Sequence, residues 1–238
     1  MALPDGSGHW TRDLAVSADG KTIFASVGSA SNDAEEMKPL AGLEAFRKTH
    51  ALGAAWGPEA GRADVLAFNP DGGAMRVFAT GLRNCSGLGV EPQTAALWCV
   101  VNERDHLGDD LPPDFATTVG GGKFYGWPWY YIGDHEQPGR AKERPDLKSQ
   151  VTVPDVLLQP HSAPLGIAFY TASHFPQKYR DSAFVAMHGS WNRAKGTGYK
   201  VVRLVFDNGR PTGEYEDFLT GFVTEDGGVW GRPSGVTV

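Results

Sequence analysis

A chain of 238 residues is long enough for one large β domain with a sizeable core, and two domains are not required. Its 22 Lys and Arg stand against 28 Asp and Glu, a net charge of -6. There is no basic footprint to neutralise phosphates, which argues against nucleic acid and anionic membrane surfaces as partners. With 31 Gly, 16 Pro, 7 Trp and 12 Phe, the composition points to an all-β chain of short aromatic-rich strands and many turns.

Hairpins follow one another along the chain. Leu14 to Val16, the turn Ala18-Asp19-Gly20 and Thr22 to Val27 read as strand, turn, strand. Helical spacing of Leu40, Leu43 and Phe46, with Asp33 as candidate N-cap, predicts a short surface helix inside a long loop at 30–61. Val65 to Phe68, Asn69 to Gly73 and Met75 to Ala79 repeat the hairpin form. So do Gly87 to Val90, Glu91 to Thr94 and Ala96 to Val100. The stretch 133–149 is rich in Pro, Arg, Glu and Asp and reads as an exposed excursion. Gly166 to Phe169 pairs with Ala183 to Ala186, and Lys200 to Phe206 runs into the turn Asp207-Asn208-Gly209. Gly235 to Val238 reads as one more first strand.

First strands marked by Leu14, Leu88, Ile167 and Val236 recur at a loose period of roughly 70 to 80 residues, the mark of a radial repeat. A β-propeller fits, because each blade-like sheet buries its faces only against its neighbours. About three blades and the first strand of a fourth are covered, in a single partial domain spanning 1–238. An open ring of this kind is expected to self-associate through its unpaired edges and to be an incomplete catalyst.

No apolar run is long enough for a membrane-spanning helix, and the amino terminus has neither the basic head nor the apolar stretch of a secretory signal. Cys85 and Cys99 are the only cysteines. The two could pair. A hairpin turning near Gln93 sets Cys99 opposite Leu88 and on the other face from Cys85, which weighs against a bond.

Six short motifs then stand in order: Gly8-His9-Trp10-Thr11-Arg12-Asp13-Leu14, Gly81-Leu82-Arg83-Asn84, Val101-Asn102-Glu103-Arg104-Asp105, Phe124-Tyr125-Gly126-Trp127-Pro128, His188-Gly189-Ser190-Trp191-Asn192-Arg193 and Val229-Trp230-Gly231-Arg232-Pro233. In this order the chain resembles the soluble sugar dehydrogenases that use pyrroloquinoline quinone (PQQ), and in particular the sorbosone dehydrogenase branch of that glucose and sorbosone dehydrogenase family. The resemblance implies a six-bladed propeller, later part covered here, that binds PQQ and calcium. It implies hydride transfer from a sugar or sugar-derived aldehyde to the quinone, an unidentified electron acceptor, and a periplasmic or extracellular location.

The chemistry wants particular residue types. A neutral imidazole suits removal of the hydroxyl proton as hydride departs, and His9 matches the family's base. A fixed cation stabilises charge developing on the quinone oxygen, a role matching Arg83, with Asn84 beside it as donor to the cofactor. PQQ carries three carboxylates, for which the guanidinium forks of Arg193 and Arg232, together with Asn192, are the matching positions. Calcium takes oxygen ligands, and the resemblance points to the backbone carbonyls of Arg104 and Asp105; the side chains of Asp105, Asp109 and Asp110 are further candidates.

Blander readings stand beside these. A His beside Trp10 at a strand entrance, and an Arg-Asn pair in a turn, are ordinarily packing and capping residues. His106, Asp109 and Asp110 read better as a solvated acidic loop than as a transition-metal site. Trp127, Trp129, Tyr130 and Tyr131 suit blade packing more than a sugar floor. His161, His174 and His188 receive no chemistry. A calcium-stabilised propeller that only binds a partner, or a hydrolytic lactonase-like propeller, is the alternative function.

Overall fold

The structure, a computed structural model, describes residues 3–4, 8–9 and 11–238. Trp10 and the side chains of Thr11 and Arg12, all in the opening motif, lie outside the described residues. The described chain is mostly β-sheet with a single short α-helix. It folds as two compact units: Met1–Cys85 with Val119–Pro154, and Ser86–Thr118 with Asp155–Val238.

In the first unit, strands β1 (Thr11–Val16), β2 (Ile23–Val27), β3 (Asp64–Phe68) and β4 (Arg76–Thr80) form an antiparallel meander in sequence order. The turns are where Gly and Asp place them. Asp19 caps the first through the Lys21 amide and the Ser17 hydroxyl, and Asp71 holds the Gly73 amide in the second.

The long loop after β2 and the segment 119–154 build a common core of Ala34, Met37, Ala55, Ala63, Phe124, Trp127, Trp129, Tyr130 and Leu147. The excursion expected at 133–149 is exposed over most of its length, while Gln137, Arg144 and Leu147 are buried and anchor it to this core. The helix differs from expectation. It is α1, Leu43–Thr49, and it follows Gly42 in the left-handed region rather than Asp33. Asp33 is engaged elsewhere, its carboxylate accepting from Gln137 Nε2 at 3.1 Å and its carbonyl from Arg140 Nε at 2.8 Å. Pro39 removes a backbone donor that a helix running on from Asp33 would need. A two-stranded hairpin, β8 (Tyr130–Tyr131) and β9 (His135–Glu136), completes the segment. Trp127, Trp129 and Tyr130 are each about 1% exposed, so these rings are core.

The second unit carries two four-stranded sheets. One is β5 (Cys85–Val90), β6 (Leu97–Val101), β7 (Phe115–Thr118) and β10 (Val156–Leu157), with Val156 opposite Ala116. The other is β11 (Pro164–Tyr170), β12 (Ser182–Met187), β13 (Lys200–Asp207) and β14 (Arg210–Leu219), again a meander. Trp98, Val100, Ala116 and Val156 from the one pack on Ile167, Phe169, Val185, Met187 and Leu204 from the other. Gly87 permits the close approach of β5 to β11: a Cβ there would fall 2.9 Å from the Gly166 Cα and from the Leu165 carbonyl oxygen.

Two further expectations are corrected. Gly235 to Val238 belongs to no strand among the described residues, and Val236 packs beside Tyr170, Phe184 and Val201. A strand exists only where a ladder partner takes its backbone groups, and among the described residues the tail has none. Cys85 and Cys99 are disulfide-bonded. The alternation that separated them holds inside a ladder, whereas Cys85 is the first residue of β5, directly after the turn at Arg83-Asn84 that sets its direction.

Candidate functional site

In the first unit, His9 precedes β1, the loop leaving β2 runs through Gly28 and Ser29, and Arg83 and Asn84 form the turn entering β5. Backbone bonds tie the three together: His9 N donates to the Ser29 carbonyl at 2.9 Å, and Ser29 N to the Arg83 carbonyl at 2.8 Å. Gly28 is required where they meet. A Cβ on it would lie 2.3 Å from His9 Cβ and 2.8 Å from Asn84 Oδ1. His9, Arg83 and Asn84, distant in sequence, therefore converge.

Arg83 is buried, its Nε donating to the Asn32 carbonyl and its Nη2 to Asn32 Oδ1, each at 2.9 Å. Trp127 Nε1 donates to the same carbonyl at 3.0 Å. The fork is thus pre-set by the two oxygens of Asn32, which orient the guanidinium. Beneath lies a layer the sequence reading missed. Arg62 donates to the carbonyls of Gly28 at 3.1 Å and His9 at 2.8 Å, and the buried Glu59 accepts from Ala30 N at 2.7 Å and Ser31 Oγ at 2.5 Å. Burial raises the Glu59 carboxyl, against the pull of those hydrogen bonds. Nothing local in the sequence marks Glu59 or Arg62, because their partners lie roughly 30 to 50 residues away.

In the second unit, Asn192 Nδ2 donates to Asp105 Oδ1 at 2.7 Å, and His161 Nδ1 lies 3.5 Å from the same oxygen. His161 Nε2 is 2.9 Å from the Gly108 carbonyl. The Asp105 hydrogen bond is the main cause that raises the His161 pKa, with burial opposing it. Asn192 Oδ1 is buried with no donor. His161, given no chemistry from sequence, belongs to this cluster; its place just before β11 parallels that of His9 before β1, and that was the available signal.

Arg104 is fully buried, with Nε donating to Glu103 Oε2 at 2.9 Å. The acidic loop is partly tied down. Asp109 accepts the Ala194 amide at 3.0 Å, and the exposed Asp110 meets Arg193 Nη2 at 3.2 Å.

Arg193 and Arg232 line one cavity of about 560 Å³ with Lys195, Trp191 and Tyr199. Arg232 lies over the Tyr199 ring at 5.0 Å and donates to the Gly189 carbonyl, while Arg193 Nε is buried without an acceptor. Asn192 does not line it. A cavity of about 370 Å³ in the first unit is also rich in cations, but there Asp146 takes the fork of Arg144 at 2.9 Å and Glu44 pairs with Arg47 at 2.8 Å. In that cavity Arg47 and Arg144 are thus paired with its own acids.

The class that this architecture defines is the fold of solved sugar dehydrogenases. The holo PQQ domain of pyranose dehydrogenase from Coprinopsis cinerea matches with a TM-score of 0.69 and 20% identity, over 97% of this chain and 65% of that one. The calcium structure of a carbohydrate-active enzyme of family AA12 from Trichoderma reesei matches with 0.66 and 22%, over 87% and 56%. PQQ-bound aldose sugar dehydrogenase from Streptomyces coelicolor gives 0.55 and 20%, over 92% and 52%.

More particularly, residues 135–223 match the family described as TrAA12-like. An uncharacterised protein of Borreliella burgdorferi is 34% identical over 179 residues, 74% of this chain and 47% of that protein. The chain spans about half the length of that relative.

Proposed function

We propose that the chain is part of a PQQ- and calcium-dependent dehydrogenase oxidising a sugar or sugar-derived aldehyde, of the aldose or sorbosone type. Its four-stranded sheets are then blades of a β-propeller, six-bladed when whole. The observation that carries the reading is the convergence of His9 and Asn84 on Gly28 and of Arg83 on the adjoining Ser29, in a fold shared with PQQ dehydrogenases.

The residues fit the cofactor. A cavity lined by Arg193, Lys195 and Arg232, with a buried guanidinium donor awaiting an acceptor and aromatic rings alongside, suits a planar polycarboxylate. They also fit a hard cation. Among the described residues no three His, Cys, Asp or Glu side chains form a metal cluster. A cation beside Asp105 would thus rest chiefly on carbonyl and amide oxygens, those of Arg104, Asp105 and the orphaned Asn192 Oδ1.

In the first unit the imidazole of His9 takes the proton of the substrate hydroxyl, and the Arg83 guanidinium, oriented by Asn32, faces the charge that develops. Asn84 supplies a further polar contact. When bound, PQQ supplies the two-electron acceptor for the hydride leaving the sugar carbon. In the second unit Arg193 and Arg232 hold carboxylates. No helix among the described residues is long and apolar enough to cross a membrane. The oxidised cysteines support a periplasmic or extracellular location, since such compartments sustain disulfides.

The test adds PQQ, calcium ions and a dye acceptor to the full chain with an aldose or sorbosone. Bleaching that needs all components supports the dehydrogenase; PQQ binding without bleaching returns the chain to a binding role. His9→Gln is expected to slow the reductive half-reaction by roughly 10² to 10⁴ while PQQ affinity changes little. An unchanged half-reaction removes His9 as base.

A further inference from the structure

We infer that Ser29 is a positioning residue that fixes the tautomer of His9, so that Nδ1 carries the ring proton and Nε2 the lone pair that receives the substrate proton. The inference rests on His9 as the base proposed above. Its grounds are hydrogen-bond polarity. His9 Nδ1 lies 3.2 Å from the Ser29 carbonyl oxygen, which can only accept, and 3.1 Å from Ser29 Oγ. The hydroxyl proton of Ser29 is committed to the Ser31 carbonyl at 2.6 Å, so toward His9 this oxygen is an acceptor as well. Both contacts therefore demand a proton on Nδ1, and a neutral ring has only one to place.

The arrangement is held from below. Ser29 is fully buried, Glu59 is 1% exposed and Arg62 is 3% exposed. Glu59 grips the Ser31 hydroxyl and the Ala30 amide, which holds the Ser31 carbonyl where Ser29 Oγ finds it. Arg62 binds the carbonyls of Gly28, Ser29 and His9, fixing the backbone on either side of the ring. An acceptor that cannot turn donor is what makes a tautomer unique, and here the second shell removes that freedom from a serine.

The test is the ¹⁵N spectrum of the imidazoles, with the His9 signals assigned by their loss in His9→Gln. The full chain is expected to show His9 protonated on Nδ1. Ser29→Ala removes one of the two acceptors and should move the tautomer ratio about fivefold toward Nε2–H. Ser29→Thr restores the hydroxyl and the original ratio, and Glu59→Gln, which loosens Ser31, shifts it in the same direction as Ser29→Ala. A proton on Nε2 in the unaltered chain overturns the inference, whatever the variants do. So does an unchanged ratio in Ser29→Ala, or an equal shift in Ser29→Thr. If His9→Gln leaves the half-reaction untouched while the tautomer is as stated, the base assignment falls and the positioning stands.

Discussion

Asp114 links the loop after β6 to the entrance of β11 and gives the chain an unusual pH dependence. The carboxylate is about 2% exposed and accepts from Glu103 N at 2.9 Å, Ala163 N at 2.8 Å and Ser162 Oγ at 3.3 Å. Burial outweighs these donors and pushes the group up to about 7. An acid raised in the folded state binds its proton there while the unfolded chain has already released it. Stability contributed by Asp114 is therefore greatest at low pH and is lost as pH rises from about 4 through about 7. Three pH units at 1.36 kcal/mol each set a ceiling of about 4 kcal/mol. Urea unfolding followed by tryptophan fluorescence, without added metal, at pH 5 and pH 8 reads this directly. Asp114→Asn offers one acceptor oxygen to two backbone donors, so it should cost about 1–3 kcal/mol at pH 5 and much less at pH 8. A variant that keeps the full pH dependence would refute the reasoning. His161, raised chiefly by Asp105, acts with the same sign, its contribution being present at low pH and lost as pH passes its raised value.

Arg83→Lys keeps the charge and loses the fork on Asn32, so PQQ titration and stopped-flow reduction should show weaker binding and slower hydride transfer together; wild-type values for both would return Arg83 to a structural role. The Cys85 to Cys99 bond closes a loop of about 15 residues, so replacing both with Ala should lower unfolding stability by about 3 kcal/mol under oxidising conditions, and a reductant should then have no further effect on the variant.

Much of the fold was legible in the chain. The hairpins at Ala18-Asp19-Gly20, Asn69 to Gly73 and Glu91 to Thr94 formed where turn chemistry and alternation put them, because both are local and pass directly into backbone geometry. What the sequence reading left unnamed was short or distant. Strands β7 and β10 are four and two residues long and lie on either side of the 119–154 segment, so no periodicity announces their pairing.

The site divides in the same way. His9, Arg83, Asn84, Arg193 and Arg232 stand out through the motifs that contain them. Ser29, Asn32, Glu59, Arg62 and His161 acquire meaning only when folding brings them to those motifs. Asp33 shows the limit most plainly: the sequence offers it as a helix cap, and the tertiary structure spends its oxygens on Gln137 and Arg140 instead. Local pattern decides which backbone shape a segment takes; a buried polar group must be satisfied by whatever the whole fold brings within about 3 Å, and only the tertiary structure decides that.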